Sequence, residues 1–147
     1  MKETGFVLPT ACAAADASST SLTVLAGGSV FLQPLEADGS FSSAPGNLIK
    51  FPFKPTKTPL RNENRQEASH PHEVVEVVVE SGRAEIWVPD LGQDKVWRLA
   101  LEEKAGVISW KLQEGAHVAG DNGGGPRHIV VGDKGASSLA PTLLCSR

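Results

Sequence analysis

His70-Pro71-His72-Glu73-Val74-Val75, followed by Ile86-Trp87-Val88-Pro89-Asp90-Leu91-Gly92-Gln93-Asp94-Lys95-Val96-Trp97-Arg98-Leu99, combines strand-forming runs, a tight turn and a pair of histidines in one supersecondary unit. A shorter echo follows at Gly125-Pro126-Arg127-His128-Ile129-Val130-Val131. Placing Pro71 on Pro126 brings His72 onto Arg127, Val74 onto Ile129 and Val75 onto Val130, at an offset of 55 residues. Recurrence near such a period marks repeat architectures, in which each unit buries its apolar face against the next. The unit here is a strand approached through a proline and a polar or charged residue.

A second echo lies earlier. Gly28-Ser29-Val30-Phe31-Leu32-Gln33-Pro34-Leu35, then Asp38-Gly39-Ser40-Phe41, resembles Asp94-Lys95-Val96-Trp97-Arg98-Leu99-Ala100-Leu101, then Ala105-Gly106-Val107-Ile108. Both read as a strand, a glycine-bearing turn and another strand, a hairpin signature. Ser21 to Ala26 reads as a short strand, Gly27-Gly28 as a turn, and Val30 to Leu35 as a strand that Pro34 assigns to an edge or a bulge. Residues 44–69, rich in Pro, Lys, Asn and Arg, read as a long loop, and loops of that length are usually functional or disordered. Inside it Ile49, Phe51 and Phe53 alternate at period two, the pattern of a short strand.

Residues 70–112 form the best-organised segment. Strands are expected from Glu73 to Glu80, Ala84 to Val88, Lys95 to Leu101 and Val107 to Leu112, with Pro89-Asp90-Leu91-Gly92 and Glu103-Lys104-Ala105-Gly106 as breaks. No ten-residue segment has helical periodicity, so the expected fold is all-β. Residues 1–20 carry little pattern, residues 21–131 hold the repeating structure, and residues 132–147 form a divergent tail.

At 147 residues the chain is long enough for one globular core. Its 14 Lys and Arg against 17 Asp and Glu, without a clustered basic face, argue against a nucleic-acid partner. No apolar run approaches the roughly 18 residues that a membrane span needs. Glu3 offsets Lys2, and Pro9 and Thr10 interrupt the mildly apolar run from Gly5 to Ala15, so the N-terminus does not read as a signal peptide. Leu8-Pro9-Thr10-Ala11-Cys12 makes a poor lipoprotein site. The expected location is the cytoplasm, with Cys12 and Cys145 as unpaired thiols.

His70 and His72 share one face of an extended segment, and with Glu76 they offer a possible zinc or iron ligand set. The string His70-x-His72-x3-Glu76-x5-Gly82 partly resembles the first cupin motif. It lacks the upstream glycine, its last interval is one residue short, and no second motif follows. The plainer reading has one histidine capping the strand and the other making a hydrogen bond, and we favour it for His70. Gly123-Gly124-Gly125-Pro126 delivers Arg127 and His128 to a strand start, where an arginine can grip a carboxylate or phosphate bidentately or brace a loop carbonyl. That glycine run is not a phosphate loop, since neither a Lys-Ser/Thr pair nor a helix follows. Trp87 and Trp97 read as packing residues, and Asp90 and Asp94 as stabilisers of a turn. Without a Gly-x-Ser-x-Gly elbow, serine-hydrolase chemistry has no support.

His70-Pro71-His72-Glu73-Val74, Val88-Pro89-Asp90-Leu91-Gly92-Gln93-Asp94-Lys95-Val96 and Gly123-Gly124-Gly125-Pro126-Arg127-His128 resemble, in order and spacing, three signatures of the lactonase, seven-bladed β-propeller family. That family includes propeller-type 6-phosphogluconolactonase and the fungal 3-carboxy-cis,cis-muconate cyclase. The resemblance covers about residues 66–131, with residues 21–41 as the end of a preceding blade, and Trp97-Arg98-Leu99 is most like the fungal members. It implies a partial β-propeller of about two four-stranded antiparallel blades. It implies too a cleft at the propeller axis, where a small carboxylated substrate or lactone is hydrolysed or formed without a metal or organic cofactor. Carried over by motif, the catalytic histidine is His72, or else His70. The catalytic arginine is Arg127, with Arg127 and His128 at the substrate. Beyond Val131 the family continues into a strand ending Asn-Glu-Leu, whereas this chain reads Gly132-Asp133-Lys134-Gly135, so the family's glutamate has no counterpart.

Seven blades need roughly 300 residues or more. The chain therefore reads as a fragment, a truncated product or a protomer that self-associates to complete a propeller, and is expected to be inactive alone. Two other readings stand beside this one: a non-catalytic binding or scaffold module, and a cupin-like metal-binding protein using His70, His72 and Glu76.

Overall fold

The computed structural model describes residues 7–10, 21–55, 57, 59–79, 81–104, 107–113, 115, 118–119, 123–130 and 142–143. Cys12, Cys145, the Ala105-Gly106 tip and all of the 132–147 tail except 142–143 lie outside them.

The described residues form three antiparallel sheets that follow one another in sequence. The first holds β1 (Val7–Thr10), β2 (Ser21–Ala26), β3 (Ser29–Pro34) and β4 (Asn47–Lys50), paired in sequence order. Strand β1 falls in the segment that reads as unpatterned. Its register against β2 runs from Val7 opposite Val24 to Thr10 opposite Ser21, and Pro9 is tolerated because β1 is the edge strand. Gly27 and Gly28, both at positive φ, form the two-residue turn between Ala26 and Ser29. Pro34 is neither at an edge strand nor in a bulge. It ends β3 beyond the reach of β4, which pairs only with Ser29 to Leu32, and its carbonyl accepts from Ser42 N–H at 3.0 Å. The strand expected after the Asp38-Gly39 turn is reduced to one bridge, Leu35 to Phe41. Its place is taken by β4, within the stretch expected to be a loop and carrying Ile49 of the alternating trio.

The second sheet contains β5 (Val75–Val78), β6 (Ala84–Asp90), β7 (Lys95–Lys104) and β8 (Val107–Leu112), again paired in order. A short β9 (Val118–Ala119) pairs with Lys95 and Val96 beside β8. Strand β6 runs through Pro89 to Asp90 rather than breaking. The Pro89 carbonyl accepts from His72 N–H at 3.0 Å, so its polar backbone edge faces the His70–His72 segment, and the missing N–H costs no bond to β7. A 3-10 turn, Leu91–Gln93, then leads into β7. The third sheet is represented by β10 (Ile129–Val130) paired with β11 (Thr142–Leu143).

The second sheet is covered on both faces, which explains why β6 is buried almost without interruption. Its one face puts Val74, Ile86, Val88, Trp97, Leu99 and Trp110 against Val30, Leu32, Ile49 and Phe51 of the first sheet. Its other face puts Val77, Trp87 and Val96 against Ile129. Alternation along β6 therefore sends Ile86 and Val88 to one neighbour and Trp87 to the other. Each such buried side chain contributes about 1.5–3 kcal/mol relative to exposure. Phe51 stacks on Trp97 at 5.6 Å between centroids, which ties the end of β4 to β7. These are face-packed blades: one of four strands, one of four with the added β9, and the first pair of a third.

Candidate functional site

The lead-in to β5, the turn between β6 and β7 and the lead-in to β10 converge at one end of the sheets, and two buried aspartates hold them. Asp90 has no exposed surface. Its Oδ1 accepts from the backbone N–H of His70 (2.8 Å), Gly92 (3.0 Å) and Gln93 (3.2 Å), and its Oδ2 from Ser69 Oγ (2.5 Å) and Trp97 Nε1 (2.9 Å). A buried charge is tolerable only when it is so fully hydrogen-bonded. Asp94 takes the left-handed conformation at φ 52° that ends the turn. Its carboxylate accepts from Gly123 N–H at 2.8 Å, Gly125 N–H at 2.9 Å and Gln66 Nε2 at 2.7 Å. The glycine run before Pro126 is thus moored to the preceding blade. Gly92 has no alternative, because a Cβ there would lie 1.7 Å from the Ala68 carbonyl oxygen.

Glu73 makes the third tie. Its Oε2 accepts from Ile129 N–H at 2.7 Å, and its Oε1 lies 3.7 Å from His128 Nδ1. The residue after His72 therefore bonds the residue after His128, and the two motifs stand side by side. His72 is exposed and Arg127 half-buried at these lead-ins. His128 is exposed over 61% of its side chain.

His70 is placed differently. Its backbone is fixed from both sides, by Asp90 and by Leu91 N–H donating to its carbonyl at 3.0 Å. Its ring lies 3.0 Å from Glu67 Oε1. The Glu67 carboxyl is held below its ordinary value chiefly by its own backbone amide, with the His70 ring adding to the effect. His70 is therefore the histidine braced at the strand approach. The His70, His72 and Glu76 set does not converge: regular β5 starts only at Val75, and among the described residues no three His, Cys, Asp or Glu side chains are arranged to hold a metal ion.

A groove of about 510 Å³ lies elsewhere, lined by Val79, Arg83, Glu85, Arg98, Lys111 and Gln113 among others, and by none of the lead-in residues. Its floor is a second buried carboxylate system. Glu85 receives Arg98 Nε at 2.8 Å, Arg98 Nη2 at 2.7 Å, Trp87 Nε1 at 2.9 Å and Gln113 Nε2 at 3.3 Å, while Arg98 lies over the Trp87 ring. Burial is the largest influence on Glu85 and pushes its pKa up, but the donors from Arg98, Trp87 and Gln113 together outweigh it and hold the carboxyl below its ordinary value. Arg98 is raised in turn, chiefly by its hydrogen bonds to Glu85.

Sequence spacing marked His72, Arg127 and His128, and it placed Asp90 and Asp94 in a turn. It assigned nothing to Glu73 or Gln66. Glu73 stood inside the first motif, but its partner is a backbone amide 56 residues away, which no side-chain pattern records.

A family model described as lactonase, 7-bladed beta-propeller matches residues 19–138. No protein of curated function matches the sequence. Among solved structures, a protein of Bacteroides uniformis provisionally named a 6-phosphogluconolactonase is similar, with a TM-score of 0.51 and 22% identity. The similarity covers 75% of this chain and 29% of that one, so the present chain spans less than a third of the neighbour's length. At that identity the likeness speaks for the fold, and the sequence match across two blades and the start of a third carries the assignment. The chain belongs to the lactonase, seven-bladed β-propeller family.

Proposed function

We propose that the lead-ins to β5 and β10 form part of a site that hydrolyses, or closes, the lactone of a small acid. The acid would resemble 6-phosphogluconolactone or a carboxymuconolactone, as expected for a cytoplasmic enzyme of this family. The observation that supports this reading is the Glu73–Ile129 bond, because it ties the lead-in that carries His72 to the lead-in that carries Arg127 and His128. Lactone opening needs a base for water and a cation for the acid group, and a histidine and an arginine supply them. No cofactor enters this scheme. Closing the lactone of an unsaturated acid needs instead an acid that protonates the alkene carbon, which a histidine also provides near neutral pH.

Adjacent blades bury each other, so the rest of the site would come from further blades, supplied by a longer chain or by self-association. Light scattering coupled to size exclusion, followed by a lactone assay on the species found, tests the reading. Expected is a discrete assembly whose turnover of an acid-bearing lactone falls in Arg127→Ala through a raised KM. A discrete assembly inactive on phosphorylated and carboxylated lactones alike would overturn it. One observation favours a second reading, a non-catalytic binding module: the groove beside Glu85 and Arg98 is lined by none of the lead-in residues.

A further inference from the structure

We propose that Gln66 is a positioning residue for Arg127, acting through Asp94 and the glycine run; the inference rests on the lactone reading above. Gln66 is buried, although it belongs to the stretch that reads as a long loop. Its backbone N–H donates to the Asn62 carbonyl at 2.8 Å, and its own carbonyl accepts from the Arg61 guanidinium. Its side-chain Oε1 accepts from Asn62 N–H at 2.9 Å. Held in that way, Nε2 donates to the Leu91 carbonyl at 2.9 Å and to Asp94 Oδ1 at 2.7 Å. A buried amide bonded through both its oxygen and its nitrogen has one orientation, and it passes that orientation to the Asp94 carboxylate.

Asp94 in turn holds the start of the lead-in to β10. Its Oδ2 accepts from Gly123 N–H at 2.8 Å and its Oδ1 from Gly125 N–H at 2.9 Å. Both glycines stand at positive φ, 78° and 54°, in a run that is otherwise free to take many conformations. A Cβ at Gly123 would overlap the Leu60 carbonyl, so the 60–66 segment also packs directly against the run. Only Pro126, buried and fixed in φ by its ring, stands between Gly125 and Arg127. The lead-in that carries His72 is held separately, by Asp90 and Leu91 bonding the His70 backbone. Two aspartates of one turn thus divide the work, Asp90 on the histidine side and Asp94 with Gln66 on the arginine side. An arginine grips an acid group through two N–H groups aimed at once, so a small drift of its backbone weakens that grip. Gln66 therefore acts on the hold of the substrate's acid group, and not on the base that serves the lactone carbonyl.

Amide hydrogen exchange in the full chain, followed by NMR, tests the clamp without any need of turnover. In wild type the Gly123 and Gly125 amides should be protected. Gln66→Met, which removes both donors at similar volume, should speed exchange at these two amides about tenfold and leave those of β6 and β7 unchanged. Asp94→Asn is the second variant, since asparagine tolerates the left-handed backbone there. It keeps Oδ1 for Gln66 and Gly125 but places an NH2 against Gly123, so exchange should rise at Gly123 and not at Gly125. Unprotected glycine amides in wild type, or equal acceleration throughout the second sheet in Gln66→Met, overturn the inference.

Kinetics on two δ-lactones, one carboxylated and one uncharged, test the role. Gln66→Met should raise KM for the carboxylated lactone about tenfold with kcat little changed. Its kcat/KM on the uncharged lactone should equal that of wild type, because no acid group is held there. An equal loss on both lactones would make Gln66 a residue of stability alone and overturn the inference. A wild type with protected Gly123 and Gly125 amides but no lactone turnover supports the clamp and overturns the reaction assigned to the site.

Discussion

The indole N–H of Trp97 donates to Asp90 Oδ2 at 2.9 Å, across the turn that joins β6 to β7. The same carboxylate serves Ser69 and three backbone amides, so one buried charge joins the core, the turn and the approach to β5. Removing it leaves those donors buried and unpaired. Asp90→Ala should cost about 3–5 kcal/mol, read as a lowered midpoint in urea unfolding. A loss below 1 kcal/mol would mean that water replaces the carboxylate.

Gly92 and Gly82 separate crowding from backbone strain. At Gly92 a Cβ meets the Ala68 carbonyl, whereas at Gly82 it meets open space and only the positive φ of 75° resists it. Gly92→Ala should cost about 1–3 kcal/mol or more through overpacking, and Gly82→Ala about 1 kcal/mol. Thermal melts of the two variants check this, and equal shifts would refute the close approach at Ala68.

Glu85 should make stability depend on pH. Its folded-state pKa lies below the ordinary glutamate value of 4.5. The stabilisation is therefore complete above that value and is lost as pH falls through the lower folded pKa. Wild type should exceed Glu85→Gln in stability at pH 7, and the gap should close in the acid range below 4.5. Parallel urea titrations at neutral and acid pH measure it; a gap that persists unchanged would exclude ionisation of Glu85 as its source.

Phe51 is the test of blade-to-blade packing. It is 6% exposed and stacked on Trp97, so Phe51→Ala opens a cavity between the first and second sheets. The expected cost is about 3–5 kcal/mol, with loss of near-ultraviolet circular dichroism from the ordered indole. An unchanged aromatic signal would place the stack outside the cooperative core.

The strands of the second blade were legible because their information is local. Val75 and Val77, Ile86 and Val88, and Leu99 and Leu101 are β-branched or aliphatic residues at period two, punctuated by Gly82 and by the Asp90–Asp94 turn. The first blade was harder to read. Strand β4 was marked only by the alternation of Ile49 and Phe51 inside a Pro- and Lys-rich stretch, since those two residues face the core while Leu48 on the opposite face stays 55% exposed. Strand β1 was missed because its pairing with β2, not its composition, makes it a strand.

At the candidate site the division is similar. The sequence alone determined the residue types and their spacing: two histidines around a proline, an aspartate pair bracketing Leu91-Gly92-Gln93, and an arginine and a histidine after a glycine run. Those depend on neighbours in the chain, where turn chemistry and strand alternation operate. Tertiary structure alone decided the partners. It set Glu73 against Ile129, Asp94 against Gly123 and Gly125, and Glu67 against His70, and it left Glu76 outside any metal-like cluster of the described residues. The reason is that a buried carboxylate must find donors wherever the fold brings them within about 3 Å, and backbone amides, which every residue but proline carries, leave no mark in the sequence.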